Sequence, residues 1–242
     1  MTRKRADMVL VERGFFVSRA RAQEAISAGL VTVNGVSVRK PSEMVPSEAV
    51  ITAEQPHPYV SRGGVKLAAA LDVFQIDPQG CTCLDIGAST GGFTEVLLLR
   101  GASHVYAVDV GHSQLHPKVA EDPRVTSLES TDARTLSPEL VSEPADLLVA
   151  DVSFISLKLV LPAAIALLKP RAALAVLVKP QFEAGRDHVK KGIVRDEAVH
   201  RAVCEDMTAF IASLGFAPLG LIPSPIQGGD GNREFLLGAR RG

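Results

Sequence analysis

Tryptophan is absent from the 242 residues, tyrosine occurs only twice and cysteine three times. The missing tryptophan excludes little, since 46% of the residues are hydrophobic and a sizeable core is within reach. The cysteines are few and odd in number. Cys81 and Cys83 form a C-x-C inside an apolar stretch, without zinc-type spacing, so buried structural thiols are expected for them and no metal site is predicted. No uninterrupted apolar run reaches the ~18 residues of a membrane span. The basic start, Met-Thr-Arg-Lys-Arg, lacks a following apolar signal core, so a cytoplasmic protein without membrane contact is expected.

Net charge is also nearly absent, at −1, but its distribution is uneven. Residues 1–40 hold eight bases against three acids, a local +5, while the remainder holds 18 bases against 24 acids, or −6. A basic head on a mildly acidic body suggests that the head meets a polyanion. The length allows one sizeable domain plus a small one.

In the head, a short helix is expected over 5–15, closed by Gly14, and a second over Arg19 to Ala28, with Ser18 as its N-cap and Gly29 ending it. Leu30–Val33 and Val36–Val38 flank Asn34-Gly35, a preferred two-residue hairpin turn, and another strand is expected at 49–53. Pro41, Pro46, Pro56 and Pro58 punctuate the stretch from 41 to 58. Residues 54–58 are the best linker, with His57 a turn residue between two prolines.

The body opens with a helix ending near Gln75 and then alternates. Strands are expected at 81–86, 103–109, 124–128, 146–151 and 172–179, with helices at 92–100, 114–120 and 155–168. A long helix over 197–214 and two strands, 216–223 and 233–239, complete it. Such alternation means a helix-wrapped parallel sheet, and the last two strands, joined by a loop alone, should run antiparallel.

The most informative stretch is Cys83-Leu-Asp-Ile-Gly-Ala-Ser-Thr-Gly-Gly-Phe-Thr94, an apolar strand that passes through a glycine turn into a helix. Such a turn lets a ligand approach the backbone and the helix N-terminus, although many α/β proteins share it. Asp109 ends the next strand, 24 positions after Asp85, about where nucleotide-binding folds place a ribose-binding acid. Lys66, Asp151, Lys179 and Glu234 fall at strand ends or the sheet rim, where an ion needs a partner or a ligand.

These residues carry two resemblances. Ser18 to Gly35, with Lys40 beyond, resembles the S4 RNA-binding domain, which implies RNA contact by Arg5, Arg19, Arg21 and Lys40. Asp85-Ile-Gly-Ala-Ser-Thr-Gly-Gly-Phe93, Asp151, Val178-Lys-Pro180 and Asn232-Arg-Glu234 resemble FtsJ-type ribose 2′-O-methyltransferases, whose Lys-Asp-Lys-Glu tetrad matches Lys66, Asp151, Lys179 and Glu234 in order. With Arg62-Gly-Gly-Val-Lys66 and Asp151-Val-Ser-Phe-Ile-Ser-Leu157, the whole chain resembles the TlyA family of ribosomal RNA methyltransferases.

The resemblance implies an α/β fold. A Rossmann-like methyltransferase domain over 59–242, with a mostly parallel seven-stranded sheet and an antiparallel last strand, follows a small α+β S4 domain over 1–58. It implies S-adenosyl-L-methionine as cofactor, bound by Asp85, Gly87, Ser89, Gly91, Gly92, Phe93, Asp109 (ribose) and Asp132 (adenine). It implies ribosomal RNA or a ribosomal subunit as partner, and transfer to a cytidine 2′-OH. Lys179 is expected to activate the hydroxyl, either taking its proton when neutral or stabilising the alkoxide when charged, with Asp151 and Glu234 orienting it. The end at Gly242 resembles the shorter type that acts on the large subunit.

Other chemistries fit less well. Methylation of base nitrogens shows Asn/Asp-Pro-Pro-aromatic where Asp151-Val-Ser-Phe154 stands, and carbon-5 methylation needs a strand-end cysteine. A non-catalytic assembly factor is the alternative reading. A dehydrogenase is disfavoured by the tetrad, and the family's haemolysin label by the lack of a spanning segment. The polar loop 181–195 could close over RNA or remain a solvated surface.

Overall fold

The computed structural model describes residues 2–228 and 231–242. The chain forms two compact units, Met1–Pro58 and Tyr59–Gly242.

In the first unit, β1 (Arg3–Arg5) leads into α1 (Ala6–Glu12) and α2 (Arg19–Ser27), followed by β2 (Val31–Val33), β3 (Val36–Ser37), β4 (Met44–Pro46) and β5 (Ile51–Ala53). Strands β3, β2 and β5 make one antiparallel sheet, and β1 pairs with β4 in another. The hairpin turn is the expected one: Asn34 and Gly35 both have positive φ, 51° and 77°. Asn34 also fastens β5, its Oδ1 accepting from the Val50 amide at 2.9 Å. Leu10, Phe16, Ala22, Ala25, Ile26 and Val31 are buried in one small core. Helix α1 is shorter than expected, since the Gly14 and Phe15 amides close it onto Val11 and Leu10. Glu54, Gln55 and His57 are hydrogen-bonded or ion-paired to Leu30, Phe15, Arg21 and Glu24 of this unit, so the 54–58 stretch is fastened down. His57 is buried rather than a simple turn residue.

Asp7 braces this unit. Its carboxylate has no solvent exposure and accepts from Arg5 (3.0 Å to each oxygen), Arg19 (2.9 Å) and Gln23 (2.7 Å). Arg5 first, and the Gln23 and Arg19 donors after it, outweigh burial and hold the carboxyl well below the ordinary range. Its contribution to stability is therefore present above the ordinary carboxylate pKa and lost as pH falls through and below it. Asp7→Asn should lower hydrogen-exchange protection of the α1 and α2 amides about tenfold in the full chain, because the buried acceptor of Arg5, Arg19 and Gln23 loses its charge. Unchanged protection would refute the bracing role.

The second unit begins with α3 (Gly63–Phe74) and continues through β6 (Thr82–Ile86), α4 (Gly92–Leu99), β7 (His104–Val108), α5 (Pro117–Ala120), β8 (Val125–Leu128), β9 (Ala145–Ala150), α6 (Leu157–Ile165), β10 (Leu168–Val178), α7 (Pro180–Glu183), α8 (Glu197–Ser213), β11 (Ala217–Pro223) and β12 (Phe235–Arg240). The sheet order is β11-β12-β10-β9-β6-β7-β8, with β12 antiparallel to both neighbours and the other pairs parallel. The expected α/β class and antiparallel last strand are therefore present. Both faces are covered: Leu84, Ile86 and Leu148 point into one core, and Cys83, Leu147 and Val149 into the other. Helix α5 starts three residues later than expected because Pro117 sets its first turn. The chain reverses its direction of sheet growth between β6 and β9, and their carboxyl ends open the crevice where α/β sheets bind ligands.

Candidate active site

The turn after β6 is shaped by its contact with the end of β9. Gly87 has φ +81°, and a Cβ there would lie 2.4 Å from the Asp151 carbonyl oxygen. Only glycine permits both this conformation and this approach. The Gly87 and Ala88 amides both donate to the Val108 carbonyl, at 2.8 and 3.0 Å. Asp109, just past β7, accepts from the Ser89 and Gly111 amides at 2.7 Å each, so its carboxylate is held across the mouth of the turn.

Two cavities adjoin here. One, of about 420 Å³, is bordered by Gly87, Ser89, Val108, Asp109, Asp132 and Phe154 among others. The second, of about 260 Å³, is bordered by Lys66, Gly92, Phe93, Asp151 and Lys179 among others. Gly87, Ser89, Asp151 and Ser153 belong to both walls.

The four expected catalytic residues form two ion pairs. Lys179 follows β10 and places Nζ 2.5 Å from Asp151 Oδ1, while also donating to Ser153 Oγ at 2.9 Å. Lys66 of α3 donates to Glu234 Oε2 at 2.6 Å, with both side chains nearly buried. Glu234 pairs with Lys66 and is not among the described wall residues of either cavity.

The expected cofactor residues divide. Gly87, Ser89, Asp109 and Asp132 line the larger cavity, and Gly92 and Phe93 the smaller. Gly91 borders neither; its φ of +90° and its packing against Leu115 and Val119 start α4. Asp85 also borders neither, because β6 carries it into the interior, where Thr94 Oγ1 donates to it at 2.6 Å. Burial, against the Thr94 hydrogen bond and with help from the Asp151 charge, pushes its carboxyl up to about 7. An acid raised in the folded state stabilises relatively most below its ordinary pKa, and that advantage is lost as pH rises through 7. Asp85→Asn should therefore gain several degrees in Tm on wild type between pH 5 and pH 8, as thermal scans at both values would show; parallel shifts would refute this.

Asp132 faces the cavity but is already engaged. Its carboxylate accepts from the Arg134 side chain and amide, which brings its pKa to about 2. An adenine amino group there would share the carboxylate with Arg134.

The four bases expected on RNA lie in the first unit. Arg5 and Arg19 remain half-exposed while held by Asp7, and Lys40 is exposed. Arg21 lies 2.5 Å from His57 Nε2 and also reaches Gln55, which makes it a fastener of the 54–58 stretch. Sequence motifs alone give no role to Ser153, Arg62 or Phe154, although each borders a cavity. Phe154 proves 91% exposed with φ +64°. Among the described residues, no group of three or more His, Cys, Asp or Glu is placed to hold a metal, and no helix is long and apolar enough to cross a membrane.

Comparison with known proteins agrees with this geometry. Residues 59–241 match the FtsJ-like methyltransferase family and residues 4–51 the S4 domain. The chain is 47% identical over 238 residues to the "Putative rRNA methyltransferase YqxC" of Bacillus subtilis, covering 97% of this chain and 85% of that one. It is 44% identical over 241 residues to the "16S/23S rRNA (cytidine-2'-O)-methyltransferase TlyA" of Mycobacterium tuberculosis, covering 98% and 90%. Among solved structures, a putative hemolysin from Streptococcus thermophilus aligns with a TM-score of 0.79 at 43% identity, over all of this chain and 89% of that one. The FtsJ-like match over residues 59–241, the S4 domain ahead of it and a relative 44% identical over nearly the whole chain place this chain in the TlyA family of FtsJ-like methyltransferases.

Proposed function

We propose that the protein methylates a ribose 2′-hydroxyl of a cytidine in ribosomal RNA, with S-adenosyl-L-methionine as donor, in the cytoplasm. The observation that carries this reading is the Lys179–Asp151 pair, with Asp151 on the wall shared by two adjoining cavities and Lys179 on the smaller one. In the proposed division of labour, residues 1–58 hold RNA and residues 59–242 perform the transfer.

The larger cavity fits the donor. Asp109, fixed by two amides, offers a carboxylate to a ribose diol, and Val108, Val110 and Ile155 offer apolar surface to a base. The Gly87–Gly92 turn leaves room for the amino acid end. When bound, the cofactor supplies an electrophilic methyl group on a sulfonium.

The chain's own residues do the rest. Asp151 fixes Lys179, and Lys179 holds the 2′-oxygen and either accepts its proton or neutralises the charge developing on it. Lys66 adds positive charge at the same cavity while Glu234 keeps it satisfied.

The test is transfer of labelled methyl groups to purified large and small ribosomal subunits and to their free RNA, with nuclease mapping. Label on a cytidine 2′-oxygen is expected, with the large subunit favoured. No transfer to any of these, with RNA binding retained, would replace this reading by a non-catalytic assembly factor.

A further inference from the structure

We propose that Ser153 is a positioning residue for Lys179, fixing the direction in which the lysine nitrogen meets the ribose hydroxyl. The inference rests on the function proposed above and adds to it a residue outside the Lys-Asp-Lys-Glu set.

Lys179 Nζ lies 2.5 Å from Asp151 Oδ1, but that contact is an ion pair without hydrogen-bond alignment, and charge attraction alone does not fix the rotation of the amine. The aligned hydrogen bond goes to Ser153 Oγ at 2.9 Å. The lysine borders the smaller cavity, so the serine sets which way the nitrogen presents its remaining directions to that space. Without the serine the amine can turn about its contact with Asp151.

The surroundings keep Ser153 in place. At the far end of its loop, Ser156 Oγ donates to Glu183 Oε2 at 2.5 Å, and the Leu157 amide donates to Oε1 of the same carboxylate at 2.8 Å. Between Ser153 and these anchors Phe154 adopts φ +64°, a conformation that costs a bulky residue energy and persists only where neighbours enforce it. Ser153 therefore sits on a braced loop, on the wall common to both cavities. A hydroxyl there acts through Lys179, so precise orientation is what it contributes.

The experiment compares Ser153→Ala and Ser153→Thr with wild type in single-turnover methyl transfer, alongside crystal structures of all three. Ser153→Ala should slow transfer about tenfold or more. Its KM for RNA and its affinity for S-adenosylhomocysteine should stay within twofold of wild type, and Lys179 should occupy more than one orientation in the crystal. Ser153→Thr, which keeps the hydroxyl, should recover most of the rate and the single orientation. A Ser153→Ala rate within twofold of wild type, a matching loss of cofactor affinity, a lysine that does not move, or failure of threonine to restore the rate would each overturn the proposal. If wild type methylates no ribosomal RNA, the functional reading fails, while the lysine orientations still test the positioning.

Discussion

Lys179→Ala should reduce methyl transfer by about a thousandfold or more while leaving the fold and the cofactor affinity close to wild type. The asymmetry follows from where the pair sits. Asp151 keeps 21% of its side chain accessible, so losing its lysine leaves a carboxylate closer to water than Glu234 would be. The cost in stability is then smaller than for a fully buried pair. Removing Lys66 is a different matter, because Glu234 is only 3% accessible and would be left as an uncompensated buried charge costing about 3 kcal/mol. Rate assays with ribosomal RNA, calorimetric titration with S-adenosylhomocysteine and thermal unfolding separate these outcomes. A Lys179→Ala enzyme within tenfold of wild type would remove the lysine from the mechanism.

Gly87→Ala should be comparably severe, through binding rather than chemistry. The added methyl would lie 2.4 Å from a backbone oxygen of Asp151, which cannot swing aside like a side chain. The substitution also forces alanine to φ +81°, a strain of about 1–3 kcal/mol before any clash is counted. Relief requires the carboxyl ends of β6 and β9 to part, although the Asp151 amide is bonded to the Ile86 carbonyl at 2.9 Å. Both cavities share this seam, so affinity for S-adenosylhomocysteine should fall about a hundredfold and Tm by several degrees. Near-normal affinity in a variant shown by its circular dichroism to be folded would mean that the turn is more compliant than this contact implies.

Much of this arrangement is legible in the sequence, because it is written in local patterns. The glycine turn, the strand-end Asp151 and Lys179 and the Asn34-Gly35 hairpin each depend on a few neighbouring residues. The features that stayed hidden depend on contacts across long stretches of chain. Strand β1 exists because Met44–Pro46 lies beside it, about 40 residues on. Asp7 looked like one acid in a basic head, yet it is the group that holds Arg5 and Arg19. Asp85 and Glu234 carried family positions, but sequence position does not reveal depth, and both are buried and outside the described walls of the two cavities. Ser153 lies within the quoted 151–157 motif, but the motif gives it no role, and only its distance to Lys179 does so.

The insertion of β12 between β10 and β11 has a consequence for synthesis on the ribosome. Glu234 stands just before β12, and its partner Lys66 lies 168 residues earlier. A nascent chain emerging through β10 already carries the glycine turn, Asp151 and Lys179, but its Lys66 has no counter-ion and β10 has an open edge. The protein therefore cannot assemble a complete tetrad until β12 has left the exit tunnel. Pairing of Lys66 and closure of the sheet arrive together, late in synthesis.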